Sequence, residues 1–326
     1  MGSAFQAYER RNPNTSAHEY NLNLQRQITS HDVVSIAYVG QTGFHILVNP
    51  NINQATPGAG AVASRRPFPN FSDGTMNCYC ANSEYNSLQV TYQNRLSSGF
   101  DFQGAYTLGH SIDTSSGTSN LVGIQNPLNM SLYRGNSDFD VRHNAVLSWS
   151  YKLPFGSKMK FGSGAHGIED ALIGGWQLNS IDSFSTGSPF TPVMATSLLN
   201  SASVTQWPNR IGSGKAANQS IKTWFNTADF VSPGNYIYGN SGRNILYGPG
   251  TKQFDFSLFK DVRFDESGVR RLQLRAEAFN AFNTPQFNNP NSTIGNAAAG
   301  TITSAGSPLL FQRASREIQI AAKLYF

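Results

Sequence analysis

The sequence predicts an all-β protein: a portion of an antiparallel transmembrane β-barrel, with about nine meandering strands, short periplasmic turns and long external loops. Three observations predict it. Apolar and polar residues alternate with period two, again and again along the chain. The connections between the alternating segments are short and long in turn. The composition sets 39% apolar residues beside only 13% charged ones, and that charged share is about half of what a soluble domain carries. No apolar run approaches the roughly 18 to 20 residues of a spanning helix. A chain rich in Asn, Gln, Ser, Thr and Gly suits a sheet with hydrocarbon on one face and a hydrated lumen on the other.

The strands follow in order. Residues 17–28 place Tyr20, Leu22 and Leu24 opposite Glu19, Asn21, Asn23 and Gln25, and residues 32–40 alternate through Val34, Ile36 and Tyr38. Residues 86–96 set Leu88, Val90, Tyr92 and Leu96 against Gln89, Thr91, Gln93 and Arg95. Residues 99–109 carry Phe100, Phe102, Tyr106 and Leu108, and residues 143–153 carry Ala145, Leu147, Trp149, Tyr151 and Leu153. Residues 175–185 begin an apolar face with Trp176 and Leu178 that then meets Asp182, an acid that a lipid face does not predict. Residues 253–264 alternate through Phe254, Phe256, Leu258, Val262 and Phe264, and residues 271–282 through Leu272, Leu274, Ala276 and Ala278. Residues 315–326 close the chain with Ile318, Ile320, Ala322, Leu324 and Phe326 against Glu317, Gln319, Lys323 and Tyr325. Each segment is near the 9 to 11 residues of a tilted membrane strand.

The links Thr29–His31, Ser97–Ser98 and Asp265–Arg270 are short; those at 41–85, 110–142, 186–252 and 283–314 are long, and 154–174 is intermediate. Such segregation marks an outer-membrane barrel with periplasmic turns and external loops, and a soluble sandwich has no reason for it. The last strand then runs from outside to periplasm and ends at Phe326. Phe100, Phe102, Trp149, Tyr151, Phe264 and Phe326 collect at the periplasmic boundary, as an aromatic girdle does. Nine strands put the N-terminus outside, whereas a complete bacterial barrel has an even strand number. The expectation is a fragment, 1–326 being the C-terminal segment of a longer barrel. Residues Met1 to Gln6 lack the charged-then-apolar pattern of a signal peptide, so an export signal is expected upstream. An open nine-stranded sheet leaves two unpaired edges in lipid and is not viable alone.

Other chemistries find little support. The net charge of +5 is scattered, with no basic stripe interleaved with aromatics, so no nucleic-acid partner is expected. The six His are dispersed without metal spacing, and neither a phosphate loop nor a nucleophile motif appears. No enzyme activity, metal or cofactor is expected. A disulfide within Cys78-Tyr79-Cys80 closes a strained ring and a metal site needs more ligands, so the pair reads as a local loop feature, with a redox or disulfide role as the alternative. Asp138, Asp140 and Arg142 lie two apart, read as a lumen-facing ion network at a loop–strand junction rather than as an acid/base pair. Asp255, Asp261, Arg263, Arg275 and Glu277 complete the lumen charge cluster, where opposite charges across strands support pairing. Trp207 and Trp224, in the 186–252 loop, are candidate contacts for an external ligand or packing for the loop itself.

The stretches Tyr20-Asn21-Leu22-Asn23-Leu24-Gln25-Arg26 and Ser35-Ile36-Ala37-Tyr38-Val39-Gly40 resemble the Oar-like TonB-dependent receptor barrel. So do Tyr85-Asn86-Ser87-Leu88-Gln89-Val90, Ser137-Asp138-Phe139-Asp140-Val141-Arg142-His143, Leu153-Pro154-Phe155-Gly156 and Gly174-Gly175-Trp176-Gln177. Arg275-Ala276-Glu277-Ala278-Phe279-Asn280-Ala281-Phe282-Asn283 and Pro285-Gln286-Phe287 complete the series, in order over most of the chain. The resemblance implies a bacterial outer-membrane receptor of about 22 strands around a plug, often preceded by a carboxypeptidase-regulatory-like domain. External loops would capture a scarce, still unknown ligand, the polar lumen would admit it, and TonB would act through the plug, which is not in these residues. The alternation ending in Ile318, Ile320, Ala322, Leu324 and Phe326 looks like the signal read by the barrel-assembly machinery. Two rivals stand beside this reading: a self-contained small outer-membrane barrel (porin or adhesin), and a soluble β-rich carbohydrate-binding protein.

Overall fold

The structure is a computed structural model and describes residues 2–95, 99–117, 124–202, 205–265, 269–306 and 313–326. Its frame is a meander of long strands: β1 (Ser16–Gln27), β2 (Asp32–Val48), β3 (Gly74–Arg95), β4 (Phe100–Asp113), β5 (His143–Lys152), β6 (Trp176–Ser185), β7 (Thr251–Arg263), β8 (Arg271–Phe279) and β9 (Glu317–Tyr325). They lie side by side in chain order, every neighbour antiparallel. Each segment that alternates in the sequence becomes one of these strands. The cause is the pleat, which sends successive side chains to opposite faces and so turns period two into two chemically distinct surfaces.

The register carries this across strands. Leu24, Ile36, Val90, Tyr106, Ala145 and Phe184 form one continuous row. One residue along, Asn23, Gln89, Thr107, Asn144, Ser185 and Thr251 form another on the opposite face, interrupted by Ala37. A slip of one residue anywhere would exchange the faces. The apolar face is uncovered: Leu24 is 68% exposed and Ile320 83%. Water would not leave so much contiguous apolar surface bare; hydrocarbon is the medium that matches it. On this face the Tyr20 ring lies over Gly40, where any Cβ would overlap it.

Apolar burial is found instead among the loops and at the outer ends of β2 and β3. Phe190, Phe225, Phe230, Leu246 and Ile294 form one cluster, with Met194, Trp224 and Ile245 packed on it. Val48, Cys78 and Ala81 form a second against Ile46, Met76 and Met130. Both lie at the long-loop end. The long connections are therefore a packed cap with its own core.

The structure departs from the sequence reading in several places. β2 runs on to Val48 and β3 begins at Gly74, so much of the 41–85 link is strand. Beyond the bilayer a strand needs ladder hydrogen bonds but no apolar alternation, which is why Gly40-Gln41-Thr42-Gly43 hid the extension. The short strand Phe5–Tyr8 pairs in parallel with Gly74–Asn77, where β2 has already ended. Strand β8 stops at Phe279, short of 282, because Asn280 turns to φ 46°. The intermediate link after β5 holds a short helix, Ile168–Ile173. Cys78 and Cys80 are disulfide-bonded, the alternative to the reading as a local loop feature. A register shift between Ile46 and Val48 opposite them breaks the regular strand geometry there. Leu96 and the Ser97–Ser98 turn lie outside the described residues, as does part of the Asp265–Arg270 turn; Phe264 N–H still donates to the Arg270 carbonyl at 2.8 Å.

Charged residues also fall on the apolar face, Lys260 and Asp182 among them. Lys260 is 7% exposed; its ammonium reaches the Gly174 carbonyl and lies 5.2 Å over the Trp176 ring, so the charge is carried to the turn end of the sheet. Asp182 stands between Leu147 and Phe254 and accepts from the Ser180 hydroxyl at 2.5 Å. A carboxylate facing lipid costs less than Arg or Lys there but is still unfavourable. Asp182→Val is expected to stabilise the assembled barrel by about 1–2 kcal/mol, read as a higher urea midpoint in lipid vesicles. An unchanged or lower midpoint would mean that the bond from Ser180 offsets the cost of the carboxylate on that face.

Candidate functional site

The polar face meets the packed loops at the outer ends of β3, β4 and β5. Three short segments build this junction: 111–116, 133–142 and 243–247. Its centre is Arg243, whose side chain is 9% exposed. One guanidinium nitrogen donates to the carbonyls of Asp113 and Tyr133, both at 3.0 Å. The other donates to the Asp113 carboxylate at 2.5 Å and to the Ser116 hydroxyl at 2.7 Å. Asp113 is 2% exposed, so this is a buried ion pair. It ties the 186–250 loop to the end of β4.

Around it the 137–142 segment is held at alternate residues. The Asn244 amide donates to Asp138 at 2.6 Å, and Arg243 is 3.5 Å from the same carboxylate. Asp140, 1% exposed, accepts from the Ser111 N–H at 2.7 Å and from the Tyr247 hydroxyl at 3.1 Å. Burial pushes the Tyr133 and Tyr247 phenols up, so both stay neutral; Tyr247 donates to Asp140, whereas Tyr133 accepts from the Asn126 N–H. Between the two clamped aspartates, Phe139 is 63% exposed. It borders a cleft of about 420 Å³ whose sheet wall is Gln41, Tyr85, Gln89, Thr107 and Asn144.

The structure separates the charged residues singled out in the sequence into two groups. Asp138, Asp140 and Arg142 belong to the junction just described, and Arg142 hydrogen-bonds Tyr247. Asp138 and Asp140 are engaged by different partners, which suits a clamp and leaves no shared proton for acid/base work. Asp255, Asp261, Arg263, Arg275 and Glu277 share the polar face of β7 and β8. There Asp255 accepts from the Asn280 N–H at 2.7 Å and from the Gln253 amide. Asp261 accepts from Gln273 at 2.9 Å; Arg275 donates to Gln273 at 2.7 Å and lies 4.6 Å over the Phe259 ring. Arg263 stands opposite Arg271, and Glu277 opposite Ser257 and Gln319.

Trp207 is 3% exposed and packs edge-on against Tyr133 at 5.3 Å. Its N–H and that of Gly239 both donate to the buried Gln125 side chain, at 3.1 and 3.2 Å. Trp224 is half-buried and its indole N–H donates to the Tyr247 carbonyl at 2.8 Å; with Arg142 and His143 it borders a shallow depression of about 550 Å³. Ile318, Ile320, Ala322 and Leu324 fall on the apolar face of β9, facing Ala278, Ala276, Leu274 and Leu272, and Phe326 follows at 95% exposure. Sequence reasoning missed Arg243, Asp113, Gln125, Tyr247 and the exposure of Phe139. The only trace was the run 137–143, where two aspartates flank an aromatic.

Comparison with known proteins agrees with this geometry. The family described as outer membrane beta barrel domain matches residues 1–319. No curated protein matches. Among solved structures, the outer membrane transporter YddB from Escherichia coli is similar at TM-score 0.53 and 10% identity, over 100% of this chain and 34% of that one. The ferric citrate transporter FecA in its unliganded form is similar at TM-score 0.44 and 12% identity, over 95% of this chain and 31% of that one. The FrpB iron transporter from Neisseria meningitidis is similar at TM-score 0.45 and 11% identity, over 97% of this chain and 32% of that one. The chain thus spans about a third of the length of the transporters it matches. With nine alternating antiparallel strands, an uncovered apolar face and loops packed at one end, the chain belongs to the outer membrane beta-barrel domain family and resides in the bacterial outer membrane.

Proposed function

We propose that this chain is the closing portion of a TonB-dependent outer-membrane transporter of the Oar-like kind, a receptor that binds and admits an external ligand rather than an enzyme. One observation carries the fragment reading. β1 and β9, the two edges of the meander, run in the same direction. Joining them directly would create a parallel seam, whereas an up-and-down bacterial barrel is antiparallel throughout. An odd number of further strands between them makes both seams antiparallel. The coverage of about a third of YddB supports the same reading. So do the motifs in the sequence.

In this reading the packed loops and the polar face form the ligand's path, and TonB acts through a plug carried elsewhere in the complete protein. The partners are outer-membrane lipid, the barrel-assembly machinery and an external ligand. Residues 1–326 refolded alone in detergent are expected to give no heat-modifiable monomer on a denaturing gel, because unpaired strand edges in hydrocarbon leave each backbone group unsatisfied. A heat-modifiable monomer would overturn the fragment reading. In the complete protein, deleting Phe326 is expected to lower the assembled, heat-modifiable fraction several-fold without changing synthesis. An unchanged fraction would remove the assembly role from the Ile318–Phe326 alternation.

A further inference from the structure

The cleft beneath Phe139 joins an exposed aromatic to a polar sheet wall. Phe139 is not a stray surface aromatic. The residue before it is gripped by Asn244 and Arg243, and the residue after it is buried and bonded to Ser111 and Tyr247. The backbone between two such clamps is fixed, so the ring is presented at 63% exposure with little conformational freedom left to lose. A pre-ordered aromatic of this kind binds at low entropic cost. The volume of about 420 Å³ lies within the range of small-molecule sites.

The opposite wall comes from four strands, and all its side chains belong to the polar face. Gln41, Gln89 and Asn144 are amides and Thr107 a hydroxyl, each able to donate and accept. Tyr85 adds a second ring with a polar tip. No Lys or Arg is among the residues lining the cleft. Its two carboxylates are engaged: Glu84 pairs with Arg134 at 2.8 Å and Asp140 is buried. The cation beside the cleft, Arg134, is already paired with Glu84, so an anionic ligand would have to displace that carboxylate, and a purely apolar one would strip water from the amides without replacing it.

We infer that this cleft takes a neutral, polyhydroxylated ligand, a saccharide, with its C–H face stacked on Phe139 and its hydroxyls bonded by Gln41, Gln89, Thr107 and Asn144. Sugar hydroxyls donate and accept at once, as the amides do, and the polarised C–H bonds of a pyranose suit the negative face of an aromatic ring. The inference rests on the transporter reading for the ligand's source and names the ligand class that reading left open.

The test uses the complete receptor, purified in detergent, and titrates it with three neutral hexasaccharides (malto-, cello- and xylohexaose) and with an anionic ferric tricatecholate. Binding is expected for at least one hexasaccharide, about tenfold weaker in Phe139→Ala and within about threefold of wild type in Phe139→Tyr. Heat-modifiability of each variant shows that the barrel has assembled. Retention of none of the hexasaccharides, of the ferric complex alone, or equal binding by Phe139→Ala would each overturn the inference. Uptake into cells with and without an energised inner membrane is scored separately. Saccharide binding lost in Phe139→Ala but without energised uptake would uphold the site and overturn the transporter reading.

Discussion

Arg243→Ala is expected to loosen the whole outer cap. The side chain enters a site where Asp113 is 2% exposed, and four acceptors converge on its two terminal nitrogens. Removing the arginine leaves the Asp113 carboxylate buried and uncompensated, along with two backbone carbonyls. Breaking a buried pair from one side costs about 3–5 kcal/mol. The loss should appear as faster amide hydrogen exchange in 111–116, 133–142 and 186–250, three segments joined through this residue, while the membrane strands keep their protection. Arg243→Lys should recover only part of the loss, since an ammonium cannot copy the planar fork. Unchanged exchange in the 133–142 segment of the alanine variant would show that the cap is held by its apolar clusters instead.

A pair of substitutions one residue apart tests the assignment of faces. Val90 lies on the apolar row between Ile36 and Tyr106, and Thr91 lies on the polar face between Ser35 and Ala105. Both sit midway along the membrane part of β3, so depth is held nearly constant. Val90→Arg should destabilise the assembled barrel by about 2–4 kcal/mol, the cost of a guanidinium in mid-bilayer, while Thr91→Arg should change it by less than about 1 kcal/mol. The measurement is the urea unfolding midpoint in lipid vesicles, with the slope checked for constancy. Equal effects at the two positions, or the reverse order, would place the lumen on the wrong side of the sheet.

The strands were legible because their signal is local. Alternation at Leu22, Leu24, Ile36, Val90 or Ile320 needs no knowledge of what lies across the sheet. Asp182 broke the pattern in the sequence, and the structure leaves it on the apolar face where the pattern put it. The outer ends of β2 and β3 were not legible. Outside hydrocarbon the ladder alone sustains a strand, and the ladder has no side-chain signature. Trp207 was noticed for its type, but whether it met a ligand or the loop depended on Tyr133 and Gln125, far away in sequence.

The sequence by itself determined the alternating strands, their order and the two faces of the sheet. These follow from the pleat and from connection length, both properties of contiguous residues. The tertiary structure decided how the long loops fold, which charges are clamps and which aromatic is left bare. Asp113 and Arg243 are 130 residues apart, and no periodicity links them. Phe139 is exposed because its two neighbours are held from different parts of the chain, a condition that exists only once the loops have packed.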